Sequence, residues 1–387
     1  MGQPIPTPGG WLYRLRLVGG RVSLLQLQKI QTCLTEGKLE ITRRGNLQYR
    51  SESLLSVRVI EELQDVGLVG NLETDHLRNI MLSPTCGIDR EAMTDLFPVA
   101  KRWEDYLAQR RELRYLSPKF SVGFDGGEAL SIAALTNDIL VRAMGENCCQ
   151  IILNKTIGIT VSSTEVINIL DHLAHLYLEF TKLTDTQPRF SKMIASYGID
   201  RLGQKIEEVS IDRKSMPNAH LGLHPQKDND FYYIGIFLPL GHLSSLQLAQ
   251  LITVCHRYRI PEVRFTPWRN VVLPFVHRSF SRECCQILSH YHFSFCPPPL
   301  AISACAGKDC LASWTDTQTD AQILQYSLAD KPLHLHLSGC AKLCAYNSHC
   351  DFLAVGCAPN RYYLYHQQQL VAEVGAEELL TNIKKFL

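Results

Sequence analysis

The chain has 387 residues, with a hydrophobic fraction of 45%, a charged fraction of 20% and a formal net charge of +1. This length suggests two to four domains, and the balanced charge argues against non-specific nucleic-acid binding. The sequence shows no signal peptide and no apolar run near the roughly 18 to 20 residues that span a bilayer. We therefore expect a cytoplasmic protein that binds neither nucleic acid nor membrane.

The chain contains an internal repeat. The stretch "RLVGGRVSLLQL" resembles the later stretch "FLPLGHLSSLQL". Ser23 corresponds to Ser244 and Thr42 to Thr266, which are offsets of 221 and 224 residues. This period is far longer than the roughly 20 to 50 residues of a solenoid repeat. It indicates a duplicated unit and two halves related by a pseudo-twofold axis.

The first copy has the pattern of a ferredoxin-like module. Alternating apolar and polar residues predict strands, and apolar residues at helical spacing predict helices. In chain order we predict a strand at 11–18, a turn at 19–20, a helix at 23–36, strands at 39–42 and 46–50, and a helix at 54–65. The order β-α-β-β-α-β is that of the split-βαβ fold. The second copy covers about 230–295.

Each copy is followed by a different α/β stretch. In the first half, "PKFSVGFDGG", "ALSIAAL", "CQIILN" and "GITVSS" are strand-like and 163–183 is a helix candidate. In the second half, "LAISACA", "LHLHLSG", "FLAVGC" and "RYYLYH" are strand-like, and the polar stretch 204–226 predicts the link between the halves. We predict an α+β protein with ferredoxin-like segments at 1–75 and 221–298 and larger α/β segments at 76–220 and 299–387.

Two pairs of cysteines stand out among the fourteen in the chain. Cys305 and Cys310, the first hook, have C-x4-C spacing; Cys340 and Cys344, the second hook, have C-x3-C spacing. Thiolates suit iron–sulfur clusters and zinc, but zinc sites more often use two C-x2-C hooks. We favour a cluster over zinc, over disulfides in a reducing compartment, and over four thiols buried by chance. A helix after Gly339 would place Cys340 and Cys344 on one face.

The other cysteines carry a simpler interpretation. Seven of them lie near apolar residues, where a free cysteine acts as a small buried hydrophobe; they are Cys33, Cys148, Cys149, Cys255, Cys284, Cys285 and Cys296. Cys350, Cys357 and His349 follow the second hook, and we favour packing around it over a role as spare ligands. His334 and His336 alternate on one strand, where a structural role is favoured over a mononuclear iron site.

The repeat, the stretches "TRRGNLQYR", "RNIMLSP" and "PKFSVGFDG", and the paired hooks resemble the nitrite and sulfite reductase superfamily along nearly the whole chain. The resemblance implies two ferredoxin-like modules and two larger modules of the nitrite/sulfite reductase type about a pseudo-twofold axis. It also implies a 4Fe–4S cluster on Cys305, Cys310, Cys340 and Cys344. The first hook departs from the C-x5-C spacing usual in the superfamily, by one loop residue.

The motif "SGCAKLCA" resembles the precorrin-3B synthase branch more than the "GCPN-x-C" form of the reductases. This branch implies an oxygen-dependent monooxygenase that hydroxylates the tetrapyrrole precorrin-3A at a meso carbon and closes a lactone during cobalamin biosynthesis. It needs an external electron donor. A mononuclear non-haem iron is a further option. Two alternatives stay open: a sirohaem-dependent nitrite or sulfite reductase, and a non-catalytic tetrapyrrole or Fe–S electron carrier.

Tetrapyrroles of this kind carry many carboxylates, and arginine forks bind carboxylates in a bidentate way. By the resemblance, Arg44, Arg78 and Lys119 match basic residues around the macrocycle or its small anionic substrate. Ser121 stands where the sulfite-reducing enzymes tend to have a second lysine, which weakens the case for reducing a small oxyanion. Arg43 and Arg50 are further basic residues near the β-β connection.

The two halves differ at equivalent positions. "TRRGN" at 42–46 becomes "TPWRN" at 266–270, so the basic pair is replaced by Pro-Trp-Arg. Conversely, the stretch "SPTCGID" in the first half has one thiol, Cys86, and no hooks. We expect the first half to supply cations and the second half to supply the cluster of one composite site. Trp268 has two interpretations, contact with a macrocycle and core packing.

Overall fold

The computed structural model describes residues 4–184, 188–197, 207–211, 218–346 and 350–387. These residues belong to two compact units. The larger unit contains Tyr13–Tyr49 and Leu55–Phe295, and the smaller unit contains Ile5–Leu12, Arg50–Leu54 and Cys296–Leu387. The predicted division into four segments stays a prediction, because these units group the chain on a coarser scale.

The first repeat contains the predicted helices and strands, together with two short strands, β1 and β3, that were not predicted. Its elements are β1 (Ile5–Thr7), β2 (Gly10–Leu15), β3 (Arg21–Ser23), α1 (Leu24–Cys33), β4 (Lys38–Ile41), β5 (Leu47–Ser51) and α2 (Val57–Asp65). Helix α1 begins at a capping box, in which Gln26 N donates to Ser23 Oγ at 3.2 Å and Ser23 N donates to Gln26 Oε1 at 2.9 Å. The helix ends at Cys33, three residues before the predicted end.

The α/β stretch that follows forms a sheet with parallel and antiparallel parts. Its elements are β6 (Ile80–Leu82), α3 (Phe97–Gln109), β7 (Val122–Asp125), β8 (Ile139–Gly145), β9 (Cys148–Leu153), β10 (Ile157–Ser162), α4 (Val166–Lys182), α5 (Phe190–Tyr197) and β11 (Glu207–Glu208). Strands β6, β7 and β8 are parallel neighbours, and β8, β9, β10 and β11 continue as an antiparallel meander.

The prediction of a strand at "ALSIAAL" is wrong. Residues 129–135 form turns and irregular backbone instead. The reason is the buried carboxylate of Asp125, which accepts hydrogen bonds from Ser131 Oγ at 2.5 Å and Ile132 N at 2.9 Å. These bonds curl the segment towards the end of β7, so its amide groups do not join a sheet. A further strand, β8, forms where the sequence pattern predicted none.

The second repeat reproduces the first. Its elements are β12 (Gly222–Pro225), β13 (Phe231–Ile236), β14 (His242–Leu243), α6 (Ser245–Tyr258), β15 (Glu262–Phe265), β16 (Val271–His277) and α7 (Ser281–His290). Helix α6 begins at the same capping box as α1, formed by Ser244 and Gln247. The predicted link at 204–226 lies partly outside the described residues, and its described part includes β11 and β12.

The two repeats exchange one short strand each. Strand β14 pairs with β4, so one sheet has the order β1-β2-β5-β4-β14. Strand β3 pairs with β15, so the other has the order β12-β13-β16-β15-β3. This reciprocal exchange is the tertiary counterpart of the sequence repeat, and it supports the predicted pseudo-twofold relation.

The C-terminal stretch repeats the topology of the β6–β11 sheet. Its elements are β17 (Ala301–Ala304), α8 (Thr317–Ser327), β18 (His334–Ser338), β19 (Phe352–Ala358), β20 (Arg361–His366), β21 (Gln369–Gly375) and α9 (Leu379–Lys384). Strands β17, β18 and β19 are parallel, and β20 and β21 follow antiparallel. Across the described residues, no helix is both long and apolar enough to cross a membrane.

Candidate functional site

A cavity of about 390 Å³ opens in the larger unit. Six of its lining residues are basic, namely Arg14, Arg16, Arg43, Arg44, Lys119 and Arg189. The other described lining residues are uncharged, so no acidic side chain lines it in the described part of the chain. Such a concentration of cations favours a ligand with several negative groups. We call this feature the cation cavity.

Strand β2 and the loop between β4 and β5 supply four of these cations. Arg14 and Arg16 are two residues apart along an extended segment, which places both on the same face. The loop 42–46 is closed by Thr42, whose amide donates to the Asn46 carbonyl at 2.8 Å, while Asn46 N donates to Thr42 Oγ1 at 3.1 Å. This closed loop presents Arg43 and Arg44 to the cavity.

Arg44 is held by neutral acceptors. Its guanidinium donates to the carbonyl oxygen of Thr136 at 3.2 Å and to Asn137 Oδ1 at 3.3 Å. Burial lowers the pKa of Arg44, and the nearby carboxylate of Asp138 opposes this shift. Because arginine stays charged throughout the ordinary pH range, these bonds orient the fork without neutralising it. That Arg44 binds an anionic ligand stays a prediction. The oriented, charged guanidinium at the cavity would suit such a ligand.

Lys119 also lines the cavity, as an exposed side chain after α3. Its ammonium group forms no hydrogen bond or ion pair within the described part of the chain. Ser121, two residues further, is buried and donates from Oγ to Asp138 Oδ2 at 3.0 Å. The position at which the reductases tend to carry a second lysine is therefore occupied by a small internal hydrogen-bonding group.

Arg78 is not among the lining residues of the cation cavity. Its Nε donates to Glu104 at 2.5 Å and its Nη1 to Asp75 at 3.2 Å, while Nη2 donates to the Gly67 carbonyl at 3.0 Å. The carboxylates of Asp75 and Glu104 are buried, with side chains 0% and 8% exposed. These bonds use most of the fork, so the structure gives Arg78 a structural role in place of the predicted contact with substrate.

Sequence reasoning did not single out Arg14, Arg16 and Arg189 as site residues. The alternation in "YRLRL" was the available signal for the first two, because a strand buried on one face directs its polar residues to the other. Arg16 is additionally paired with Asp75, with Nη1 and Oδ2 at 3.1 Å. Arg189 lies in no periodic pattern, and only the tertiary structure places it at the cavity.

The four predicted cluster ligands lie in the smaller unit, after two neighbouring parallel strands. Cys305 follows β17 directly, and Cys340 follows β18 by two residues. The carboxyl ends of parallel strands meet at one edge of a sheet, where α/β proteins usually bind ligands. Cys305 N donates to the Leu337 carbonyl at 3.0 Å, which joins the two strand ends. The predicted placement of both hooks at one sheet edge is therefore confirmed.

Cys305 lies in a setting that suits a thiolate. Its Sγ accepts hydrogen bonds from Gly339 N at 3.0 Å and Gly307 N at 3.4 Å, and Thr317 Oγ1 lies 3.6 Å away. Backbone amides that donate to a cluster-bound sulfur tune the cluster. Cys305 and Cys340 are half-buried, whereas Cys310 and Cys344 are exposed. Solvent access to two of the thiols leaves room for an inorganic group.

The helix expected after Gly339 is absent from the described structure. Residues 339–346 form bends and turns, and Leu343 has a positive φ of 50°. The second hook therefore lies on a turn, so the helical-face argument for its spacing is wrong. Among the described residues, no three His, Cys, Asp or Glu side chains converge closely enough to bind a metal ion. A four-iron cluster holds its thiolates further apart than a single ion does, so the residue types and their sheet edge still fit it.

The remaining residues near the hooks have structural contacts. His336 is buried, and its Nδ1 lies 2.7 Å from Ser303 Oγ on the neighbouring strand. Burial raises the pKa of the Cys350 thiol, which favours the protonated form over a ligand. His334 is exposed at the start of β18. His349 lies outside the described residues.

Two family profiles match the chain. The family described as "Nitrite/Sulfite reductase ferredoxin-like half domain" matches residues 224–279. The family described as "Nitrite and sulphite reductase 4Fe-4S domain" matches residues 73–164. The second match covers the α/β module of the first half, which contains Cys86, Cys148 and Cys149 and neither hook. It therefore identifies the type of module, and the cluster ligands in the other module rest on the hooks themselves.

Relatives extend over most of the chain. A ferredoxin–nitrite reductase of Synechococcus elongatus is 26% identical over 87% of this chain and 74% of its own length. A precorrin-3B synthase of a Sinorhizobium species is 26% identical over 94% of this chain and 81% of its own length. The solved structure of the Mycobacterium tuberculosis NirA protein superimposes with a TM-score of 0.77, at 16% identity, over 96% of this chain and 79% of that one.

The structural match establishes the fold, with its ferredoxin-like halves and larger α/β modules. The relatives are oxidoreductases of two kinds at the same level of identity. They agree on the superfamily and differ on the reaction. The two domain profiles and the relatives support the nitrite and sulfite reductase superfamily for this chain, and the fold agrees with it.

Proposed function

We propose that this chain is a precorrin-3B synthase, an oxygen-dependent enzyme that hydroxylates precorrin-3A at a meso carbon and closes a lactone. The observation that carries the proposal is the cation cavity, with six basic side chains and no acidic one among its described lining residues. A modified tetrapyrrole with many carboxylates is a ligand that matches this excess of positive charge.

The cavity suits binding by several arms at once. Arg14 and Arg16 act from β2, and Arg43 and Arg44 act from the 42–46 loop, so cations approach the ligand from two separate elements. Arginine forks bind carboxylates through one or two hydrogen bonds and an ion pair. The closed hydrogen bonding of the loop fixes these groups before the ligand arrives, which reduces the entropy lost on binding.

In the proposed enzyme, Cys305, Cys310, Cys340 and Cys344 hold a 4Fe–4S cluster. When bound, such a cluster passes single electrons from an external donor to the reaction. The chain supplies the Gly307 and Gly339 amides, which donate to Cys305 Sγ and would tune the bound cluster. An external one-electron donor is a required partner of this proposal.

Two observations favour precorrin hydroxylation over the reduction of a small oxyanion. First, Ser121 gives its hydroxyl group to Asp138 inside the protein, so no second cation stands beside Lys119 at that position. Second, the alignment with the precorrin-3B synthase covers 94% of this chain and 81% of the relative, against 87% and 74% for the Synechococcus elongatus nitrite reductase. The form of the second hook, "SGCAKLCA", points the same way.

A sirohaem-dependent nitrite or sulfite reductase is the second candidate. The observation in its favour is that a nitrite reductase is as identical to this chain as the precorrin-3B synthase is. Sirohaem is also a carboxylate-rich tetrapyrrole, and the cation cavity would suit it as a resident cofactor. The two candidates therefore differ in whether the tetrapyrrole stays bound after each turnover.

The visible spectrum of protein purified without oxygen separates the candidates. We expect one broad shoulder from a lone cluster, and conversion of added precorrin-3A once oxygen and an electron donor are supplied. Soret and red bands of sirohaem, together with nitrite or sulfite consumption, would overturn the proposal in favour of the reductase. Arg282 is exposed on α7 and is not among the described lining residues of the cation cavity. Arg282→Gln is therefore the control for variants of the arginines that line the cavity.

A further inference from the structure

We propose that Lys119 and Arg189 form a second cationic wall of the cavity, and that Arg189 makes the site prefer tetrapyrroles with the most carboxylates. This inference rests on the proposed binding of a tetrapyrrole and holds for either candidate reaction. Both residues line the cavity, yet neither lies on the elements that supply Arg14, Arg16, Arg43 and Arg44.

One aromatic cluster anchors both residues of this wall. Phe120, Tyr177 and Phe190 are almost fully buried, and their ring centroids lie 5.5 to 5.8 Å apart. Phe120 directly follows Lys119, and Phe190 directly follows Arg189. Two segments far apart in sequence are therefore fixed against the same rings, each with its cation next to the anchor.

The segment that carries Arg189 is fixed on both sides. Tyr177 Oη donates to the Pro188 carbonyl at 2.6 Å, and Phe190 begins α5 with its side chain in the core. Burial of the Tyr177 and Phe190 side chains, which removes a large apolar area from water, holds this backbone in place. Arg189 itself is exposed, and its guanidinium has no ion pair or hydrogen bond to any described residue.

The charges around this wall do not balance. The positive charges of Arg44 and Arg189 both act on the half-buried carboxyl group of Asp138, which also accepts hydrogen bonds from the Ser121 amide and hydroxyl. Lys119 adds a further positive charge to the same lining. An added carboxylate from a ligand would relieve the repulsion between these like charges.

This placement predicts a division of labour. The arginines at β2 and its end, and those of the 42–46 loop, bind carboxylates that both tetracarboxylate and octacarboxylate tetrapyrroles carry. Lys119 and Arg189, held on the separate aromatic anchor, bind the additional arms of an octacarboxylate ring. Loss of Arg189 should therefore affect the octacarboxylate ligand most.

The test measures the binding of two porphyrin probes by fluorescence titration at one fixed ionic strength. Uroporphyrin is the octacarboxylate probe and coproporphyrin the tetracarboxylate probe. We expect Arg189→Gln to weaken uroporphyrin binding about tenfold, as for one charge-assisted pair, and coproporphyrin binding by less than threefold. Arg189→Lys should recover part of the loss, and the control Arg282→Gln should change neither affinity.

The outcomes separate this inference from the proposed function. Wild-type protein that binds neither probe would contradict tetrapyrrole binding itself. Wild-type protein that binds both, with Arg189→Gln lowering the two affinities equally or not at all, would overturn only the role of Arg189. The melting temperature of each variant, measured in parallel, shows whether a lost affinity reflects lost folding.

Discussion

Two parallel sheet edges in this chain share one topology and carry opposite chemistry. In the larger unit, β6 and β7 end at "SPTC" and "DGGE"; in the smaller unit, β17 and β18 end at the two cysteine hooks. Each edge has a cysteine just after its first strand, Cys86 in one and Cys305 in the other. Strand order alone therefore does not decide which edge binds a cofactor.

At the edge formed by β6 and β7, burial decides whether the cysteine can act as a ligand. Cys86 is fully buried, and burial, followed by the neighbouring carboxyl group of Glu128, raises the pKa of its thiol. Burial and the charge of Asp125 raise the pKa of Glu128 itself to about 7. Gly126 has no space for a side chain, since a Cβ there would lie 2.3 Å from the Thr94 carbonyl oxygen. This edge is packed and its thiol is protonated, so it cannot act as a thiolate ligand.

At the edge formed by β17 and β18, the exposure of the thiols makes them available to a cluster. Cys310 and Cys344 are exposed, and Cys305 Sγ accepts hydrogen bonds from two backbone amides. After duplication the same scaffold has filled one edge with packed side chains and left the other open with thiols. The 42–46 and 266–270 loops differ in the same sense, because Arg44 lines a cavity while Trp268, at the matching position, packs against the cluster around Ile132 and Leu140.

The clearest test of the difference between the two sheet edges changes one thiol in each. Cys344→Ser should abolish the cluster, because a hydroxyl group is a poor ligand for this iron. Cys86→Ser should keep it, since this thiol is buried and protonated. Iron and acid-labile sulfide per chain, measured on anaerobically purified protein, would check both. Full iron content in Cys344→Ser would refute the assignment of the second hook.

A second test asks whether Arg78 belongs to the ligand or to the fold. Arg78→Ala leaves the buried carboxylates of Asp75 and Glu104 without this partner, which should cost about 3 to 5 kcal/mol of stability. The melting temperature should fall accordingly, while uroporphyrin affinity per folded molecule stays near that of the wild type. A stable variant with weakened binding would restore Arg78 to the ligand site.

A third test uses the two matched loops. Arg44→Ala should weaken tetrapyrrole binding by about 1.5 to 3 kcal/mol, the range of a charge-assisted hydrogen bond, with little change in melting temperature. Trp268→Ala should show the reverse pattern, because Trp268 contributes packing. Titration and thermal unfolding on the same preparations would compare them. Equal losses of binding in both variants would mean that the loops do not differ in role.

A smaller effect is expected on the pH dependence of stability, through His220 beside Trp268 of the 266–270 loop. His220 is fully buried beside Trp268, with ring centroids 5.8 Å apart, and neither ring nitrogen has a hydrogen-bond partner among the described residues. Burial, and then the charge of His224, lowers the pKa of His220 to about 3.

The sign of this effect follows from linkage. The unfolded state takes up a proton below pH about 6.5, and the folded state does so only near pH 3, so stability falls with decreasing pH in this window, by about 1.4 kcal/mol per unit. Thermal unfolding at pH 6.5 and pH 5 should show a smaller pH dependence in His220→Phe than in the wild type. A control change at exposed His290 should leave the dependence intact, and an unchanged dependence in His220→Phe would contradict this account.

The sequence pattern alone predicted the repeat, the helices α1, α2 and α4, and a strand before each hook, but not the strands β1, β3 and β8. These features are local, since capping residues such as Ser23 and Ser244 and the alternation in "YRLRL" act within a few residues. The sequence also identified the superfamily through its motifs. The resemblance named Arg44 and Lys119 as candidate ligand-binding residues, and the structure shows that both line the cavity.

Only the tertiary structure decided how each charged or thiol side chain is used. Arg78 and Arg44 are both arginines beside strand ends, yet buried Asp75 and Glu104 engage one while neutral acceptors leave the other charged at a cavity. Cys86 and Cys305 both follow the first strand of a parallel sheet edge, and they differ in burial. Arg189 reaches the cavity because its neighbour Phe190 packs against Phe120, which lies far from it in the chain. The physical reason is that burial and pairing are sums over distant neighbours, and a local pattern does not contain them.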